Sequence, residues 1–243
     1  MTDGRIFHGG KSLYGASLGI LMLEARFPRI VGDMGNARTW PFPVLYKVVS
    51  GASPDRVVRR KAEGLRDEFI AAAHELVRLG AEGITTNCGF LALIQAELQA
   101  AVPVPVATSS LLQIPLAARL LPPGKVPGVV TISAATLTRE HLLAAGADPD
   151  TPVVGTDSGS EFTRVILGDE ERLDYGAAER DVVGAAEELV ARHPQVGAIV
   201  LECTNMCPYA RAVRRATGLP VYDIVSLVTW FHAGLSPARF VQD

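Results

Sequence analysis

Cys88 and Cys203 are the side chains whose type and setting offer chemistry. Cys88 follows Gly83-Ile84-Thr85-Thr86-Asn87, and Cys203 follows Gly197-Ala198-Ile199-Val200-Leu201-Glu202. Each preceding run reads as a short buried strand, and a helical pattern begins just beyond each cysteine. In parallel α/β sheets ligands bind past the carboxyl ends of the strands. Backbone N–H groups at a helix start favour anions there, and the same setting draws a thiol's pKa down from its free value near 8.5. A thiolate so placed can act as a base or as a nucleophile at neutral pH. Two structural, buried cysteines are the competing reading, since free Cys is among the most buried residue types. Two thiols at equivalent points of an apparent repeat favour the chemical reading.

Other templates are weaker. Cys203 and Cys207 are spaced C-x-x-x-C, but no second pair or nearby His completes a zinc site. Cys207, just before Pro208, reads as structural. No nucleophile elbow, phosphate loop or dinucleotide fingerprint occurs, so no metal and no cofactor is expected. His74 and His141 fall on expected helices, in solvated or core-edge roles. Gly32-Asp33-Met34-Gly35-Asn36 is glycine-rich without dinucleotide-loop spacing.

The elements that position the cysteines alternate along the chain. Strands are expected at Leu18–Leu23, Leu45–Val49, Gly83–Asn87, Val104–Ala107, Gly128–Ile132, Ala198–Leu201 and Pro220–Tyr222. Ser53-Pro54-Asp55 starts a helix whose apolar residues Val58, Ala62, Leu65, Phe69, Ala73 and Leu76 step by three and four up to Gly80. Further helices are expected over about 90–100, 111–121, 138–145, 177–192 and 209–217, with a last one from Asp223. Residues 26–43, broken by Gly and Pro, read as a long loop. Such alternation argues for parallel sheets flanked by helices.

An internal echo divides the chain. Glu75-Leu76-Val77-Arg78 precedes the Cys88 strand, and Glu188-Leu189-Val190-Ala191-Arg192 precedes the Cys203 strand. Both copies read helix, turn, strand, cysteine. Two related α/β lobes follow, one from 1–107 plus 218–243 and one from 108–217.

Composition bounds the partners. The 243 residues carry 23 basic and 26 acidic side chains, a formal charge of −3, which argues against nucleic acid as the main partner. Apolar residues make up 48%, enough for a sizeable core. No apolar run approaches the roughly 20 residues of a spanning helix, so no membrane partner is expected. Met1-Thr2-Asp3-Gly4-Arg5 lacks the basic-then-apolar order of a secretory leader. With three cysteines, too few and too scattered for a disulfide framework, a cytoplasmic protein is expected.

Thr85-Thr86-Asn87-Cys88-Gly89-Phe90 and Glu202-Cys203-Thr204-Asn205-Met206-Cys207-Pro208 resemble the two cysteine motifs of the aspartate/glutamate/hydantoin racemase superfamily. The resemblance implies two pseudosymmetric α/β lobes with the active site in the cleft between them, no cofactor, a small carboxylate substrate and a homo-oligomer. It implies that Cys88 and Cys203 are the catalytic acid–base pair, one removing the α-proton and the other returning one to the opposite face. Asn87, Gly89, Thr204 and Asn205 adjoin them as candidate substrate-binding residues. Ser133-Ala134-Ala135-Thr136 resembles the family's substrate-contacting loop, although Ser133 and Thr136 suit an ordinary helix cap equally. Asp33 stands where the family often has a residue assisting the first cysteine, and otherwise reads as a turn residue.

Three features depart from that pattern. Asn205 replaces the His or Glu that usually partners the second cysteine, the first motif reads Asn-Cys rather than Cys-Asn-Thr, and the loop 26–43 has no counterpart in short-loop racemases. That loop suits a lid over the site or an oligomer contact. A racemase or epimerase of an amino acid or related carboxylate is the leading expectation. The alternative is a lyase, such as a dimethylsulfoniopropionate lyase, or a decarboxylase or isomerase using the same cysteines.

Overall fold

A computed structural model describes residues 6, 8–238 and 240, so the expectation drawn from residues 1–5 lies outside the described residues. Strands β1 (Leu18–Leu23), β2 (Val44–Val49), β3 (Gly83–Thr86) and β4 (Val106–Ala107) form one parallel sheet in the order β2-β1-β3-β4. Strands β5 (Val126–Thr131), β6 (Val153–Gly155), β7 (Val196–Leu201) and β8 (Val221–Tyr222) form a second, in the order β6-β5-β7-β8. The two orders are the same permutation, so β3 and β7 are topological equivalents, as the echoed cysteine segments require.

Helices α1 (Pro54–Val58), α2 (Arg66–Leu79), α3 (Gln95–Ala101) and α4 (Ile114–Leu120) precede the second sheet. Helices α5 (Arg139–Ala144), α6 (Phe162–Gly168), α7 (Tyr175–Arg192), α8 (Ala210–Thr217) and α9 (Ile224–Leu235) follow. Among the described residues no helix is long and apolar enough to cross a membrane.

The equivalence of the lobes extends to packing. A β-carbon on Gly19 in β1 would lie 3.0 Å from the Leu76 side chain of α2, and one on Gly128 in β5 would lie 2.9 Å from Leu189 of α7. Leu76 and Leu189 are the leucines of the two Glu-Leu-Val echoes. Each lobe therefore seats one long helix on its second strand through the same glycine–leucine approach. Every residue of β1 is buried, as expected where helices cover both faces of a parallel strand.

Two expectations are corrected. The helix foreseen from Ser53 to Gly80 is two helices. Between them Lys61 and Ala62 take left-handed φ of 51° and 54°, and Arg56 closes the break by donating to the carbonyls of Gly51 and Glu63. Val57, Val58, Ala62 and Leu65 stay buried across the break, so their spacing mimicked one helical face. The second correction concerns residues 218–243. β8 pairs with β7 in the second sheet, whereas α9 packs Ile224, Leu227 and Val228 against Leu18 and Ile20 of the first. The chain thus crosses back at Asp223, the N-cap of α9, rather than at 217. The sequence pattern also passed over β6, an edge strand of the second sheet, and α6, which faces the first lobe.

Candidate active site

Cys88 and Cys203 each end a central strand and cap a short 3-10 turn, residues 89–94 and 204–209. Both line one cavity between the lobes. Its walls are Leu23, Phe27, Asn87 and Phe90 of the first lobe, Pro54 and Val58 of α1, and Ile132, Ile166, Leu167, Glu202 and Asn205 of the second lobe. The volume open to a water-sized molecule is about 20 Å3, room for roughly one water.

The lobes are sutured at the cysteine loops. Thr204 Oγ1 donates to the Asn87 carbonyl across the lobes at 2.6 Å, and within the second lobe Ser110 Oγ donates to the Leu201 carbonyl at 2.7 Å. Asn87 Oδ1 accepts the Leu23 N–H at 2.7 Å, which pins the loop before Cys88 to the end of β1. Nearer the surface the Arg26 and Phe27 N–H groups donate to Asp169 Oδ1 at 2.6 and 3.2 Å, and α1 packs against α6.

The thiols differ in their partners. The Phe90 and Leu91 N–H groups at the start of the turn after Cys88 favour ionisation of its thiol, as does the Arg29 guanidinium, and the Leu91 N–H donates to the Cys88 carbonyl at 3.1 Å. Cys203 Sγ donates to Asn205 Oδ1 at 3.5 Å, while Asn205 Nδ2 donates to Asp33 Oδ2. Asp33 in turn accepts from Arg29 Nη1 at 3.0 Å and from the Gly35 N–H at 2.6 Å. Asp33 therefore reaches the second cysteine through Asn205 and the first through Arg29. Asn205 occupies the place of the missing acid–base partner as a bridge between Cys203 and a carboxylate.

The expectation of a lowered thiol pKa also fails. Burial pushes both thiols well up, and the neighbouring Glu202 charge adds to the rise. The N–H donors offset only part of it.

Sequence reasoning assigned no role to Glu202. It is fully buried at the end of β7, with Oε2 accepting from Thr131 Oγ1 at 2.7 Å, and the nearby Ile132 N–H also favours its charged form. Oε1 has no hydrogen-bond partner. Burial pushes its pKa up to about 7. Gly89 makes room for it, since a β-carbon there would collide with the Glu202 carboxylate and sit 2.5 Å from its backbone oxygen. The available signal was a glutamate closing an apolar strand directly before a candidate catalytic cysteine.

The structure thus brings Asn87, Cys88, Cys203 and Asn205 together at the cavity, with Asp33 and Gly89 directly behind. Thr204 is spent on the suture. Ser133 and Thr136 do not line the cavity. The Ser133 carbonyl accepts the Thr136 and Leu137 N–H groups in the turn leading to Thr138, the N-cap of α5.

Comparison with known proteins follows this geometry. The chain is 32% identical over 228 residues to a dimethylsulfoniopropionate lyase of Durusdinium sp. clade D, spanning 90% of this chain and 75% of that one. The chain belongs to the dimethylsulfoniopropionate lyase family. A second member of the family, dimethylsulfoniopropionate lyase 3 of Emiliania huxleyi, is 33% identical over 229 residues, and there the match spans 86% of this chain but 57% of the relative. No family model matches the sequence. Among solved structures, a Gly74Cys mutant of arylmalonate decarboxylase superposes with a TM-score of 0.62 at 17% identity, covering 93% of this chain and 96% of that one. Allantoin racemase from Klebsiella pneumoniae superposes with a TM-score of 0.61 at 18% identity, again covering 93% and 96%. The fold is that of the aspartate/glutamate/hydantoin racemase superfamily, and the relatives in sequence make the protein an enzyme. These sequence relatives are lyases, whereas the structural neighbours include a racemase and a decarboxylase.

Proposed function

We propose that this protein is a lyase that cleaves a sulfonium carboxylate of the dimethylsulfoniopropionate type by β-elimination in the cavity between the lobes. The observation that carries this reading is the asymmetric environment of two thiols in one apolar cavity, in a chain whose relatives are named for that substrate. Cys88, whose ionisation the Phe90 and Leu91 N–H groups and the Arg29 charge favour, is the better base. Its thiolate takes the proton from the carbon next to the carboxylate. The C–H electron pair becomes the new C=C bond, the C–S bond breaks, and its pair stays on sulfur as neutral dialkyl sulfide. The second product is the unsaturated carboxylate, acrylate for this substrate. A neutral leaving group needs no acid, so Cys203 can remain a thiol, hydrogen-bonded to Asn205. The N–H groups at the starts of the two 3-10 turns suit the substrate carboxylate and the charge that builds on it.

Racemisation of a small carboxylate is the second reading, favoured by the matched positions of the two thiols on equivalent strands. Incubation with dimethylsulfoniopropionate, with headspace detection of dimethyl sulfide and NMR detection of acrylate, tests the first. Parallel incubation of single enantiomers of aspartate, glutamate and hydantoins in D2O tests the second. α-Deuteration without sulfide release would replace the lyase with the racemase.

A further inference from the structure

The Glu202 carboxylate is poorly matched to thiol chemistry on an anionic substrate. A negative charge at the end of β7 opposes ionisation of both Cys88 and Cys203. It would also repel a substrate carboxylate in the same small cavity. Among the described residues no Lys, Arg or His pairs with it, and the nearby Arg29 is paired with Asp33. A buried charged group normally carries a partner, because its desolvation otherwise costs several kcal/mol. The Glu202 Oε1 lacks one, and apart from Asn87, Asn205 and the two thiols the cavity wall is apolar, with Leu23, Phe27, Val58, Phe90, Ile132 and Ile166 among its residues.

We infer that Glu202 is the specificity-determining residue that attracts the cationic end of the substrate, a methylated onium centre, through the negative charge of its carboxylate, which lines the cavity and whose Oε1, packed against Gly89, has no hydrogen-bond partner. The inference rests on the lyase reading and names the group that selects its substrate. A primary ammonium carries three N–H donors and needs as many acceptors. A methylated sulfonium or quaternary ammonium carries none. It needs one negative charge and apolar walls for its methyl groups, and aromatic faces such as Phe27 and Phe90 add to the attraction. The bound cation also cancels the penalty that Glu202 places on the Cys88 thiolate, so the base becomes competent when the correct substrate is present. An uncharged isostere supplies no such cancellation.

The test compares binding of 3-(trimethylammonio)propanoate with that of 4,4-dimethylpentanoate, which has the same shape and no positive charge. Calorimetry is run on the intact protein and on Glu202→Gln, which keeps the length and the bond to Thr131. The wild type should bind the onium compound at least about tenfold tighter, and Glu202→Gln should bind the two alike. Equal binding by the wild type, or a preference that survives in Glu202→Gln, overturns the inference. Should Glu202→Gln not fold, the wild type alone decides. Its onium preference should grow between pH 6 and 8 as Glu202 ionises, and a flat preference overturns the inference. Cys88 and Cys203 share the cavity with Glu202, and burial keeps both thiols protonated in that range in the ligand-free protein. Arg29 and Asp33 behind them stay paired. Dimethyl sulfide release by the wild type reports on the lyase reading separately. Sulfide release without onium preference removes the inference alone, onium preference without sulfide release removes the reaction alone, and neither removes both.

Discussion

Asn205 joins Cys203 to Asp33: its side-chain oxygen accepts the thiol, and its side-chain nitrogen donates to a carboxylate from the loop after β1 in the opposite lobe. The same Asp33 holds Arg29, whose charge is felt at Cys88. One buried carboxylate thus orders polar groups on both sides of the cavity. Asp33→Ala should lower kcat by about 100-fold with little change in KM, the scale expected when reacting groups lose their alignment. It should also move the limb of the kcat profile that rises with pH, on which Cys88 ionises, because Arg29 is released from its partner. Steady-state kinetics from pH 6 to 10 measure both. A change confined to KM would mean that Asp33 shapes binding instead.

The two thiols should not be equivalent in an elimination. Cys88→Ala removes the base and should lower kcat by about 1000-fold or more, within the range of a lost proton acceptor. Cys203→Ala removes a side chain that keeps its proton, so its loss should be at least tenfold smaller. Equal losses would point to two-base inversion and to the racemase reading. Rates of acrylate formation by both variants, with folding verified by circular dichroism, decide between them.

Much of this site was legible in the sequence, for a physical reason. A parallel strand buried on both faces leaves a continuous apolar run, and the residue after it must sit at the sheet's ligand-binding edge. Cys88 and Cys203 follow two such runs, and the repeated Glu-Leu-Val helices betrayed the duplication. Asp33 was visible only as a turn residue, because its partner Asn205 lies in the other lobe and no local spacing encodes that contact. Glu202 was passed over because an acidic residue at a strand end usually meets water. Only tertiary closure by Thr204, Asn87 and Ser110 makes that place dry. The break after Val58 was hidden for the converse reason, since burial persisted where the backbone turned.

Glu202 sets a pH dependence of stability whose sign follows from its raised pKa. In the unfolded chain it titrates near 4.5, and in the folded protein near 7. Between those values the folded state holds the extra proton, so stability falls as pH rises through that window and stays lower above it. The ceiling of the effect is about 3 kcal/mol, from about 1.4 kcal/mol for each unit of pKa difference. Denaturant unfolding at pH 5 and pH 8 should show wild type losing stability relative to Glu202→Gln over that interval. Parallel curves for the two proteins would place the charge in a better-solvated setting.

His141 works in the opposite direction. Its Nδ1 accepts the Thr138 N–H in the capping box of α5, and its ring meets Phe90 edge-on with centroids 5.0 Å apart. Burial lowers its pKa from 6.5 to about 4. The unfolded chain therefore takes up a proton first, and stability is lost as pH falls from about 6.5 towards 4. His141→Asn, which can retain a cap acceptor, should flatten that acid limb while costing stability at pH 7 through lost packing on Phe90. Thermal unfolding between pH 4 and 7 checks both signs.

Gly89 admits no side chain because the Glu202 carboxylate and backbone oxygen fill the space where a β-carbon would stand. Gly89→Ala must displace either the loop carrying Cys88 or the end of β7 carrying Cys203. Overpacking of this kind costs about 1–3 kcal/mol, and the displacement falls on the two thiols themselves. Activity should therefore drop by about 100-fold, beyond what the stability loss explains at a temperature where the variant is fully folded. The double variant Gly89→Ala, Glu202→Gln should recover little of it, because the contact with the backbone oxygen of residue 202 at 2.5 Å is unchanged. Recovery to the level of Glu202→Gln alone would show instead that the side-chain carboxylate is the whole obstacle and that the strand end yields freely.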